Sequence, residues 1–167
     1  ASYRRQRQMC IRDSPHSETK VASAPHPDVQ NSRVKIKDAV ITSMENLTHD
    51  TFLLTVKLDN NEYLESHAGQ YGTLKVDDLD KPRAFSFARG PNSEKKGEFS
   101  FFIKQVPGGL FSEYLNEDRT GQKIVLSGPM GQFKIDESNE DMVCIAGGSG
   151  MSAINAIVEE AAHSQVK

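Results

Sequence analysis

From Arg33 to about Asp136 the chain alternates apolar and polar residues in short blocks, each too brief for a helix and each closed by turn residues. Val34-Lys35-Ile36-Lys37 alternates and runs into Ala39-Val40-Ile41, after which Glu45–Asp50 turns the chain. Thr51–Leu58 is rich in β-formers and predicts a second strand, closed by Asp59-Asn60-Asn61. A third strand is expected over Ala68–Val76, opened by Gly69, and a fourth over Pro82–Ala88. Glu98–Val106 is apolar enough for a central strand, with Phe99, Phe101 and Ile103 on one face and Phe102, Lys104 and Val106 on the other. Pro107-Gly108-Gly109 ends it and Leu110–Leu115 reads as a short helix. Lys123–Ser127 follows, and a last short strand is expected to hold Phe133 and Ile135. Together these six or so short strands predict a small six-stranded antiparallel β-barrel over residues 33–138.

The pattern changes after Glu137–Glu140. Asp141-Met142-Val143-Cys144-Ile145-Ala146 contains a continuous apolar run, the mark of a strand buried on both faces. Gly147-Gly148-Ser149-Gly150 comes next, and Met151–Ala162 reads as a helix with Met151, Ile154, Ile157, Val158 and Ala161 on one side. Strand, glycine turn and helix make the first βα unit of a Rossmann-like α/β domain over residues 139–167. One such unit cannot bury its own sheet, so a truncated nucleotide-binding domain is expected.

Composition narrows the class. Hydrophobic residues make up 37% and charged residues 26%, as in a globular protein, and no apolar run is long enough for a membrane span. Cys10 and Cys144 make no disulfide framework, so a cytoplasmic setting is the default. The net charge of −3 argues against a nucleic-acid binder, the more so because Arg4, Arg5, Arg7 and Arg12 against Asp13 put +3 into residues 1–14, leaving −6 elsewhere. Those first residues have no periodicity. They read as a basic arm or as foreign sequence resembling adapter read-through, with the second preferred, and are set aside from the fold. Residues 15–32 are polar and proline-bearing, a linker or frayed tail in which His16 and His26 are solvated rather than metal-binding.

Three stretches carry candidate chemistry. Arg83-Ala84-Phe85-Ser86 puts a cation and a ring on one face of a strand and a hydroxyl on the other, which suits a planar anionic cofactor, although for the stretch alone an ordinary half-buried strand is the preferred reading. Gly109-Leu110-Phe111-Ser112 places a glycine and a hydroxyl at a helix start, where a phosphate or a plain N-cap would fit. Gly147-Gly148-Ser149-Gly150 lies where dinucleotide pyrophosphates bind, yet departs from G-x-G-x-x-G at Ala153 and lacks the P-loop ending. Cys144 reads as core. No metal site and no paired-carboxylate or Ser-His-Asp arrangement is present, and no closely spaced cysteines could hold an iron–sulfur cluster.

In order, Arg83-Ala84-Phe85-Ser86, Gly109-Leu110-Phe111-Ser112, Gly128-Pro129-Met130-Gly131 and Ala146–Gly150 resemble the ferredoxin–NADP reductase superfamily. The strongest likeness is to NADH-dependent reductase components of bacterial multicomponent oxygenases of the phenol hydroxylase and soluble diiron monooxygenase kind. The resemblance implies that Arg83 pairs with the pyrophosphate of FAD, Phe85 stacks on its isoalloxazine and Ser86 hydrogen-bonds near flavin N5, the hydride acceptor. It also implies that Ile103 and Lys104 lie along the ribityl and adenosine side, that Gly109 and Ser112 hold the pyrophosphate, and that Gly147–Gly150 meet NAD(P)H. Many relatives have Tyr where this chain has Phe85, and several have Pro where it has Ala153. The implied acceptor is an oxygenase or hydroxylase component or a ferredoxin, reached through a 2Fe-2S centre in a domain outside these residues. A stand-alone flavin or ferric reductase, a flavohaemoprotein-type module and an OB-like binding barrel remain alternatives.

Overall fold

The computed structural model describes residues 34–135 and 142–164. Cys10, His16, His26, the basic opening, the linker and the turn at 137–140 lie outside the described residues. Six strands form in order: β1 (Lys35–Asn46), β2 (Thr51–Leu58), β3 (Tyr71–Lys75), β4 (Arg83–Ser86), β5 (Glu98–Lys104) and β6 (Lys123–Met130). Helix α1 (Leu110–Tyr114) joins β5 to β6, and helix α2 (Met151–Ser164) follows the barrel. All five pairings are antiparallel, in the order β4-β3-β6-β1-β2-β5.

The long β1 holds the sheet together because it serves two neighbours. Its first half pairs with β6 from Lys35↔Gly128 to Val40↔Lys123, and its second half with β2 as far as Asn46↔Phe52. A register shift between Ile41 and Ser43 bends the strand at the handover, and Thr42 there donates its hydroxyl proton to the Thr55 carbonyl at 3.2 Å. The sheet curls until the end strands face each other. β4 and β5 form no ladder, but just past β4 the Ala88 N–H donates to the Ser100 carbonyl at 2.8 Å. Among the described residues, this backbone bridge closes the barrel on that side.

Ile41, Leu54, Val56, Leu74, Phe101 and Leu126 fill the interior with no measurable exposure. Phe99, Phe101 and Ile103 of β5 all point inward, as their alternation predicts. Each such side chain stabilises the fold by about 1.5–3 kcal/mol relative to exposure.

Two expected strands differ. Residues 131–135 form none, because β6 runs through Gly128–Met130 and uses up the pairing with β3 that a further strand would need. Residues 142–147 likewise form no strand, and Val143 and Ile145 are 84% and 87% exposed. A strand buried on both faces needs partners on either side, and no described residue pairs with this one. Helix α2 does form, but it is rolled relative to the expected stripe. Ser152, Ala156, Ile157 and Ala161 are buried, while Met151 and Val158 stand in solvent. Ala156 and Ile157 pack with Ala68, Ile135 and the half-buried Cys144 in a small second cluster. No helix among the described residues is long and apolar enough to cross a membrane.

Candidate functional site

β4 is short because Pro82 precedes it and because only one of its edges is paired, Leu74↔Arg83 to Tyr71↔Ser86 on β3. The other edge opens on the barrel's weak side. Phe85 reaches across that opening. Its ring lies 5.1 Å from that of Phe111 on α1, tilted by 45°, and 6.4 Å from that of Phe101 on β5, edge to face. Two motifs separated in sequence therefore meet at one corner. Phe85 itself is only half-buried, which leaves part of its ring for a ligand.

Arg83 is half-buried and, among the described residues, hydrogen-bonds to backbone, with Nη1 3.3 Å from the Pro82 carbonyl oxygen and 3.5 Å from that of Lys81. Among the described residues no carboxylate pairs with it. Its guanidinium can therefore meet a dianion with most of its donors unused. Ser86 is half-buried, and Ala84 is exposed and offers only its backbone.

The loop before α1 is built around glycine and Ser112. Gly108 has φ of +73°, the left-handed region that favours glycine. A Cβ on Gly109 would stand 2.9 Å from the Val106 carbonyl oxygen and 3.3 Å from Ser112 Oγ, so the backbone there tolerates no side chain. The Gly109 N–H donates to the Val106 carbonyl at 2.8 Å, and the Val106 N–H donates to Ser112 Oγ at 3.0 Å. Ser112 therefore braces the loop rather than capping its own helix, and its hydroxyl proton is still free to be donated. The first N–H groups of α1 have no partner within a helix of five residues. Phe111 is buried beneath this turn and Leu110 is exposed above it.

A cavity of about 400 Å³ flanks the same loop, lined by Lys104, Gly108, Ser112, Asp50 and Asn116. Lys104 Nζ lies 3.1 Å from the Asp50 carboxylate. That contact, supported by the Thr48 hydroxyl, holds the Asp50 carboxyl at about 2. The structure thus gathers Lys104 and Ser112 at one cavity, and Phe85 and Phe111 at the adjoining corner. Ile103 is 2% exposed within the core, so only its backbone could face a ligand.

Gly147–Gly150 form an exposed turn against β5 that leads directly into α2. Gly148 has φ of +56°, and the Gly150 N–H donates to the Gly147 carbonyl at 3.1 Å. A Cβ at Gly147 or Gly150 would meet nothing within 4 Å. Packing among the described residues therefore does not require glycine at those two positions, whereas close approach of a ligand backbone would. Ser149 is exposed in the same turn.

Gly108, Asp50 and the polar face of α2 carry geometry that the pattern of apolar residues does not signal. Asn155 and Glu159 are one helical turn apart and face the barrel instead of solvent. Their spacing on a predicted helix was the available clue. Its weakness is that a polar pair at i, i+4 ordinarily marks the solvent side.

An unpaired guanidinium, a half-exposed ring, a hydroxyl and a side-chain-free backbone turn at the open side of an antiparallel barrel fit a ligand with a flat ring and a pyrophosphate. These features define a flavin-binding barrel of the ferredoxin reductase kind. The family of oxidoreductase FAD-binding domains matches residues 38–135, and the chain belongs to that family. It is 35% identical over 128 residues to the xylene/toluene monooxygenase electron transfer component of Pseudomonas putida, covering 76% of this chain and 35% of that protein. It is 31% identical over 134 residues to the phenol 2-monooxygenase reductase component of Pseudomonas sp. strain CF600, covering 79% of this chain and 37% of that one. Among solved structures, the ferredoxin reductase in carbazole 1,9a-dioxygenase superposes with a TM-score of 0.73 at 30% identity, over 80% of this chain and 40% of that one. The chain thus spans little more than a third of the length of the curated relatives named here.

Proposed function

We propose that this chain is part of a cytoplasmic reductase that takes hydride from NAD(P)H onto FAD and passes single electrons to an oxygenase or hydroxylase component or a ferredoxin. Residues 33–138 are its FAD-binding barrel, and residues 139–167 belong to its NAD(P)-binding domain. The observation that carries this reading is the 5.1 Å contact between Phe85 and Phe111, which joins the Arg83–Ser86 strand to the glycine-led helix. Bound FAD supplies the conversion of a hydride into single electrons, and the protein supplies placement and polarity.

Arg83 neutralises the pyrophosphate, and the first N–H groups of α1, from Leu110, Phe111 and Ser112, share it, while side-chain-free Gly109 lets it come close. Phe85 offers its ring to the isoalloxazine. Ser86 donates its hydroxyl proton near flavin N5 and is the catalytic residue of this reading. Ala84 and Ile103 contribute backbone. Lys104 follows the ribityl and adenosine side with the ammonium donors that Asp50 leaves unused. Gly147, Gly148, Ser149 and Gly150 receive the nicotinamide dinucleotide. Any 2Fe-2S centre belongs to a domain outside this chain. The partners reductase and oxygenase meet through protein surfaces, with neither nucleic acid nor membrane required.

The test is FAD titration of Arg83→Ala and Phe85→Ala, followed by flavin fluorescence. Each should weaken binding by about tenfold or more, the size expected for a lost charge-assisted hydrogen bond or a lost stacking surface. Arg83→Ala should also flatten the salt dependence, because it removes the cation that faces the pyrophosphate. An Arg83→Ala protein that binds FAD as tightly as the parent at low salt would remove the assignment.

A further inference from the structure

The chain leaves β4 by a route whose backbone groups are fixed one after another. The Phe87 N–H donates to the Gln70 carbonyl at 3.0 Å and the Ala88 N–H to the Ser100 carbonyl at 2.8 Å, both inside the barrel. The next two groups are held by the helix. Asn155 Nδ2 donates to the Ala88 carbonyl at 2.8 Å, and the Gly90 N–H donates to Glu159 Oε2 at 3.0 Å. Asn155 Nδ2 also donates to Glu159 Oε1 at 3.1 Å, so the two side chains set each other's orientation.

This contact is specific to backbone. The neighbouring Arg89–Glu159 ion pair is 3.4 Å long and partly exposed, a kind of contact that contributes little. An ionised carboxylate accepting a backbone N–H at a buried glycine is stronger and directional. Gly90 is buried, and a Cβ there would lie 3.2 Å from the Ala156 carbonyl oxygen and from the Glu160 nitrogen. A side chain at this position would press the helix back by a few tenths of an ångström. Ser152 adds a long hydrogen bond from its hydroxyl to the Phe102 carbonyl, at 3.4 Å, on the other lip of the barrel opening. Helix α2 therefore spans the weak side of the barrel, touching the strand exit on one lip and β5 on the other.

We propose that Asn155 and Glu159 are positioning residues for the flavin site. They fix the backbone two and four residues beyond Ser86, at Ala88 and Gly90, so that occupancy of that site and docking of α2 are thermodynamically coupled. This rests on the flavin reading above and goes beyond it, since neither residue touches the ligand. Coupling between sites is reciprocal: if the docked helix tightens FAD binding, FAD must stabilise the docked helix by the same factor. In an enzyme whose α2 follows the nicotinamide-binding turn, the same link would report nucleotide-domain position to the flavin.

Amide hydrogen exchange of the full chain with and without FAD tests this, together with FAD affinity for Asn155→Asp and Glu159→Gln. Asn155→Asp keeps the shape but turns the donor to Ala88 into an acceptor. Glu159→Gln keeps an acceptor for the Gly90 N–H and gives up the second oxygen, which accepts from Asn155. In the parent, FAD should slow exchange at Gly90 and through residues 152–161 by about fivefold or more, the lower end of ordinary coupling. Asn155→Asp should abolish that slowing and weaken FAD binding by a similar factor, whereas Glu159→Gln should retain most of both. A parent that binds FAD with unchanged exchange in α2 would overturn the coupling while leaving the flavin reading intact, and this arm does not depend on any variant folding. An Asn155→Asp protein that binds FAD like the parent would overturn it as well. A parent that does not bind FAD would instead sink the flavin reading on which the coupling rests.

Discussion

Glu94 shows how a single side chain can set the pH response of this barrel. Its Oε1 is buried with no hydrogen-bond partner. Burial pushes its carboxyl up to about 7, against the weaker opposing pull of the nearby Ser100 and Arg89. The folded state therefore holds this proton where an unfolded chain, near 4.5, has already lost it. Stability from this group falls as pH rises between those values and stays low above about 7. Glu94→Gln should raise the thermal midpoint at pH 8 and change it little at pH 4.5, which paired melting curves will check. Asp50 works in the opposite sense. Its carboxyl is held at about 2 by Lys104, so its contribution is present above the unfolded value of 3.8 and is lost as pH falls toward 2. At this scale Arg83, Phe85 and Ser112 were legible in the sequence, because charge, ring and hydroxyl are properties of the residue. Glu94 and Asp50 were not, because their behaviour comes from neighbours distant in sequence.

Among the elements, strands were easier to read than the helix face. Phe99, Phe101 and Ile103 point inward as alternation requires, since a strand with one buried face has little choice. Helix α2 was placed correctly along the chain but rolled, because its barrel-facing side is polar and small. Ser152, Asn155 and Glu159 hydrogen-bond to backbone groups there, which a hydrophobic stripe cannot reveal. Residues 142–147 failed as a strand for a related reason, since an apolar run makes a strand only beside a partner and no described residue pairs with this one.

Two variants test how the elements join. Gly90→Ala puts a methyl group 3.2 Å from the backbone of α2 and should cost about 1–3 kcal/mol in denaturant unfolding, with α2 the first part to lose protection. Gln70→Leu removes a buried amide that accepts from the His67 N–H at 2.9 Å and donates to the Gly131 carbonyl at 3.1 Å. It should destabilise by about 1–3 kcal/mol because both backbone groups lose their partner.

For the whole molecule, the barrel was legible because six short amphipathic strands separated by turns leave few other ways to bury one face of each. The site was legible only as an ordered set of motifs. No spacing within one motif predicts that Phe85 and Phe111 touch, since that contact depends on the sheet curling until β4 comes beside β5. The curl brings the β4 strand that carries Arg83 and Phe85 against the helix that follows the glycine loop, through the Phe85–Phe111 contact. The most direct measurement is the visible spectrum of the purified 167-residue chain after incubation with FAD and removal of free cofactor. A yellow protein with one flavin per chain and quenched flavin fluorescence is predicted. A colourless protein, whose melting curve FAD does not move, would contradict the account.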